Sequence, residues 1–156
     1  MKYLKEDYDK KTMEEQFNES YEIMCKTNEP FHIKMNKIYE YKNMNKQKFV
    51  NRTGLHGSFY SKFISKRYIP TMKTFMSMCM GFNLDLPAAE SLLASLSLDF
   101  KKTNKLDCAY MFLLTHYQGL CIEDCNKILQ DLGFNEAKEL LGSFGIEENH
   151  YHKKEK

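Results

Sequence analysis

An all-α fold is predicted by three observations. Apolar residues recur at helical spacing in almost every segment, capping residues and glycines punctuate those segments, and no stretch alternates apolar with polar residues as a half-buried strand does.

Leu4, Tyr8, Phe17, Tyr21 and Met24 fall at spacings that match one helical face, so residues 4–26 read as an amphipathic helix. The sequence "TNEP" ends it, because proline disfavours a helical residue before it. Residues 31–42 read as a second helix burying Met35, Ile38 and Tyr39, with Asn43 able to take a left-handed position after it. Asn45 can cap a third helix, which carries Phe49 and Val50 inward and ends at Gly54. A short turn then leads to a fourth, which needs Leu55, Tyr60 and Phe63 on one side.

Pro70 and Thr71 open a fifth helix, in which Met72, Phe75, Met76, Cys79 and Phe82 recur at helical spacing. Its methionines match the core period, so they read as packing groups and not as a partner surface. "DLPAAESLLASL" is a short helix with Pro87 in its first turn. Beyond "LDFKKTN" come "KLDCAYMFLLTHYQ", closed by Gly119, and "IEDCNKILQDL", closed by Gly133. "NEAKELLG" offers Asn135 as a cap and Gly142 as a stop, and the tail "EENHYHKKEK" is expected to fray. No internal repeat or low-complexity tract interrupts this order.

At 156 residues, 42% apolar and 28% charged with both signs mixed, the chain suits one folded core. No apolar run approaches the ~20 residues that cross a bilayer. The N-terminus has no apolar signal-peptide region, and five cysteines without framework spacing read as reduced thiols, so a cytoplasmic protein is expected. Cys121, Cys125 and His116 lack the spacing of a zinc site, and "HYH" at 150–152 is a weak chelator, so no metal or other cofactor is expected. Neither a phosphate loop, a nucleophile elbow nor a zincin helix occurs, and Cys108 and His116 read as core and rim, so the chain is not expected to be an enzyme.

The net charge of +2 conceals an asymmetry. Residues 41–84 carry eight bases (Lys42, Lys46, Lys48, Arg52, Lys62, Lys66, Arg67 and Lys73) and no acid, against fifteen bases and twenty-one acids elsewhere. That is the footprint of a module that binds a polyanion. Gly54 lies in the middle of this run, between two helices that a turn of three or four residues must join, where a glycine accepts the positive φ that other residues resist. A helix-turn-helix follows. In that motif the second helix enters the DNA major groove while the first crosses the phosphate backbone.

On these residues the sequence resembles the lambda-repressor-like, or xenobiotic-response-element class, helix-turn-helix family. The resemblance runs over Phe31 to Leu84: Phe49 and Val50 in the first helix of the motif, Gly54-Leu55 at the turn, Tyr60 and Phe63 in the recognition helix, Pro70-Thr71 and "TFMSMCMGFNL" after it. With the helices read above, the chain divides into an N-terminal amphipathic helix over 1–30, a helix-turn-helix DNA-binding domain over 31–98, a helical extension for interaction or dimerisation over 99–145 and a flexible tail over 146–156. The resemblance supports only the second of these. It also implies that Gly57, Ser58 and Lys62 face base edges, with Lys46 and Lys48 in the crossing helix and Lys66 and Arg67 after the recognition helix near phosphates. Lys62 can donate to guanine, Ser58 can donate or accept, and Phe59 can touch a thymine methyl group.

This chain departs from the family at three places. His56 stands where the family has a serine or threonine cap, which lets the recognition helix begin later, at Gly57 or Ser58. Tyr39 and Ile64 replace an arginine–glutamate pair, and Lys66 replaces a glycine. The function expected is a sequence-specific DNA-binding regulator of transcription, working as a homodimer or with a protein partner through its N- or C-terminal helices. The alternatives are a protein-interaction module, such as an antitoxin or adaptor, and an RNA-binding protein stacking bases on Phe59 and Tyr68.

Overall fold

The computed structural model describes residues 12–25 and 28–143, and these residues form eight helices and no strand. The helices are α1 (Met13–Cys25), α2 (Phe31–Tyr41), α3 (Lys46–Thr53), α4 (Ser58–Lys62), α5 (Met72–Gly81), α6 (Leu86–Ala94), α7 (Lys105–His116) and α8 (Ile122–Asp131). None is long and apolar enough to cross a membrane.

Local chemistry sets many of these boundaries. The Asn45 side chain accepts a hydrogen bond from the Lys48 N–H at the start of α3, and Thr71 accepts one from the Thr74 N–H at the start of α5. Asp85 and Asn104 cap α6 and α7 in the same way. Asn43 takes a left-handed φ of 49° after α2, and Gly54 takes 69° after α3.

The core is continuous from Phe31 to Leu141, and α5 lies at its centre. Phe75, Met76 and Cys79 are buried as their spacing predicts, but so are Ser77, Met78 and Met80, because α3, α7 and α8 all pack against this helix. Unbranched methionine side chains fill such a site from several directions without a fixed shape. Where α5 meets α3 the backbones nearly touch: a Cβ on Gly81 would lie 2.7 Å from the Arg52 carbonyl oxygen and 2.9 Å from Thr53 Cγ2.

α1 keeps two of its aromatic residues in solvent: Phe17 and Tyr21 are 62% and 52% exposed and stack on each other with centroids 6.0 Å apart. Among the described side chains of α1 Glu19 is buried, and its carboxylate pairs with the Lys42 ammonium at 2.9 Å, which ties α1 to the end of α2. Leu4, Tyr8 and the tail over 146–156 lie outside the described residues. The sequence reading of "NEAKELLG" as a helix is corrected: it makes one turn, closed by Leu140 N–H to the Glu136 carbonyl, and Asn135 caps nothing. Its later backbone groups bond instead to side chains of α5, α7 and α8.

Replacing Gly81 by alanine forces the α3 and α5 backbones apart. Urea denaturation is expected to show a loss of about 1–3 kcal/mol, typical of overpacking; an unchanged midpoint would contradict the close crossing.

Candidate nucleic-acid interface

The corner between α3 and α4 is built residue by residue. The Thr53 hydroxyl donates to the Phe49 carbonyl at 2.7 Å and accepts from the Leu55 N–H at 3.1 Å, so the chain leaves α3 in one direction. Gly54 turns it with its positive φ, and Leu55 drops into the core. The His56 ring nitrogen Nδ1 then meets the Ser58 hydroxyl at 3.0 Å and accepts from the Ser58 N–H at 3.3 Å. His56 thus satisfies an N–H at the head of α4 by its ring, and the helix begins at Ser58, the later of the two starts open to it.

α4 has five residues, too few to be stable alone. Aromatic packing holds it. Tyr60 stacks flat on Tyr39 of α2 with centroids 4.7 Å apart, and the Tyr39 hydroxyl donates to the Tyr60 carbonyl at 2.7 Å. Burial, reinforced by Tyr60, pushes the Tyr39 phenol well above its ordinary range, so it stays a donor. Tyr39 thus sits in a stacked tyrosine pair, and Ile64 is half-buried against the core.

The basic run divides in two. Lys42 and Arg52 are buried. Lys48, expected near phosphates, donates from its ammonium to the Lys42 and Asn43 carbonyls at 3.1 and 3.0 Å, satisfying the end of α2. Lys73 donates to the Ala137 carbonyl at 2.8 Å, and burial lowers its pKa to about 8. The other four bases, Lys46, Lys62, Lys66 and Arg67, are exposed.

Lys46 opens α3, Lys62 ends α4, and Lys66 and Arg67 follow α4 in the chain. Lys46, at the start of α3, lies across Gly57, where a Cβ would stand 2.7 Å from Lys46 Cε. Gly57 therefore makes room for the lysine chain, which covers much of the backbone face expected to approach a base. Ser58 is exposed beside it, and Lys62 and the exposed Ser61 stand on the same short helix. Phe59, expected outside the core, is half-buried: its ring packs near Tyr68 with the Lys62 ammonium 4.5 Å over its centroid. Burial raises the Tyr68 phenol to about 12. Lys66 and Arg67 follow in the irregular segment that leads to Ile69, which is 65% exposed.

No family model matches the chain, and comparison with curated proteins and with solved structures gives no match. Two groups at the corner escaped the sequence reading. Ser61 has no distinguishing neighbours in the sequence. Ser143, which bonds to the turn, lies 87 residues from its partner His56, beyond the reach of any local pattern.

The lowered Lys73 pKa has a sign that can be tested. The unfolded chain holds this proton up to its ordinary pKa of 10.5, whereas the fold releases it near 8, so the burial penalty is full below pH 8 and fades between about 8 and 10.5. Lys73→Met removes the amine. Its unfolding free energy minus that of the unsubstituted protein is expected to decrease as pH rises from 8 to 10, and a difference independent of pH would contradict the shift.

Proposed function

We propose that α3 and α4 form a lambda-repressor-like helix-turn-helix and that the protein is a sequence-specific DNA-binding regulator of transcription. The observation that carries this reading is that Lys46, Lys62, Lys66 and Arg67, on or just after two helices joined by one glycine turn, are all exposed within forty-four residues that contain no acid. α4 would lie in the major groove and α3 would cross the backbone. Lys46, Lys66 and Arg67 are assigned to phosphates, and Ser58 and Lys62 to base edges, where an ammonium can reach guanine O6 and N7. His56 acts behind this surface by holding the head of α4. Phe59 acts by stiffening Lys62 over its ring.

One module with so few base-reading groups gains useful specificity by pairing on a two-fold site. The exposed Met13, Phe17 and Tyr21 of α1 or the exposed Phe112 of α7 offer surfaces for a second copy. The same exposed α1 face is the observation that favours the second reading, a protein-interaction module built on this fold.

Fluorescence anisotropy with mixed-sequence duplex DNA separates the two. For the regulator, affinity falls with salt at a slope of about −3, roughly −0.9 for each phosphate neutralised by Lys46, Lys66 and Arg67. Lys66→Ala is expected to reduce that slope by about 1 and to weaken all sequences alike, whereas Lys62→Ala relaxes sequence preference at a cost of about 1–3 kcal/mol on the preferred site. No binding at low salt contradicts the DNA reading and directs the search to a protein partner.

A further inference from the structure

The segment from Phe134 to Ser143 follows α8 and crosses the body with almost no regular structure, and side chains from three helices fasten it. Asn126 of α8 grips Leu141 from both sides, its Nδ2 donating to the Leu141 carbonyl at 3.1 Å and its Oδ1 accepting from the Leu141 N–H at 2.7 Å. The Tyr110 hydroxyl of α7 donates to the Glu139 carbonyl at 2.7 Å. In the centre of the core, Ser77 Oγ of α5 accepts from the Gly142 N–H at 2.8 Å.

Fastened this way, the strap delivers its last described residue to the α3–α4 turn. The Ser143 N–H donates to the Gly54 carbonyl at 2.9 Å, and Ser143 Oγ accepts from the His56 N–H at 2.9 Å. One residue thus bridges Gly54 and His56 across buried Leu55. The turn has particular need of such a bridge. Glycine carries the largest conformational freedom of any residue, and the helix beyond it is too short to hold its own orientation. Without Ser143 the Gly54 carbonyl and His56 N–H would lose these partners at the point where α4 takes its angle to α3.

We propose that Ser143 is a positioning residue of the DNA-facing corner: it locks the Gly54–His56 turn and thereby sets the angle at which α4 presents Ser58 and Lys62. This rests on the DNA-binding reading for its functional consequence, but the lock itself is a property of the turn. It makes the strap, distant in sequence, part of the interface without touching DNA.

The test uses the full chain with Ser143→Ala, which removes the acceptor for His56, and Ser143→Thr, which keeps it. Two quantities are measured: amide hydrogen exchange by NMR, and affinity for duplex DNA by anisotropy across a salt series. In the alanine variant the His56 amide is expected to exchange about five- to tenfold faster, as for loss of one hydrogen bond, while amides in α5 and α7 keep their rates. DNA affinity is expected to fall about as much with an unchanged salt slope, because no charge is removed. Threonine is expected to restore both.

An unchanged His56 rate, or equal acceleration throughout α5 and α7, would overturn the lock. A loosened turn with undiminished DNA affinity would overturn its positioning role. If the unsubstituted protein binds no DNA, the functional reading fails, and the exchange rates alone then decide the lock: acceleration rescued by threonine supports it and no change overturns it.

Discussion

Phe49 is the point on which the structure depends. It is fully buried, and its ring lies 6.3 Å from Tyr39, 5.7 Å from Tyr60, 5.9 Å from Phe63 and 5.9 Å from Phe82, centroid to centroid. Those four rings come from α2, from α4 and its C-terminal cap, and from the end of α5. Edge and tilted contacts of this kind add to the area each ring buries. A five-residue helix gains too little from its own hydrogen bonds to persist, so α4 exists because Phe49 and Tyr39 hold Tyr60 and Phe63 in place. The same packing fixes the exposed face of α4, and with it the placement of Ser58, Ser61 and Lys62.

The charge distribution shows how a fold sorts a basic run. Lys42 is consumed by the buried pair with Glu19, Lys48 by the carbonyls that end α2, and Lys73 by the strap, while Arg52 is buried in α3. Each of these serves the architecture. The absence of acids across 41–84 therefore overstates the positive surface, since Lys42 and Arg52 are buried, Lys48 and Lys73 are partly covered, and four of the eight bases are exposed. The exposed bases, Lys46, Lys62, Lys66 and Arg67, all fall within a span of twenty-two residues that holds no acid to offset their field.

Most of the fold was legible because its signals are local. Asn45 as a cap, Pro70 and Thr71 as the opening of α5, Asn43 and Gly54 as left-handed stops, and the inward Phe49, Leu55 and Phe63 all follow from residues within one or two turns of each other. The buried pair of Glu19 with Lys42 was not legible, because its two members lie on different helical segments and no local pattern joins them. "NEAKELLG" carries a cap residue and a stop glycine but remains a strap, since Asn126, Tyr110 and Ser77 satisfy its backbone from helices far away in the sequence. For the candidate interface, the basic residues and the turn were readable, whereas the sorting of buried from exposed bases and the bond from Ser143 required the tertiary structure.

Contact between this corner and DNA is tested most directly by titrating isotopically labelled protein with duplex DNA and following its amide chemical shifts. Lys46, the residues from Ser58 to Lys62, Lys66 and Arg67 are expected to shift together, with α1 and α7 unmoved. Shifts confined to α1 or α7, or none at all at low salt, would contradict it.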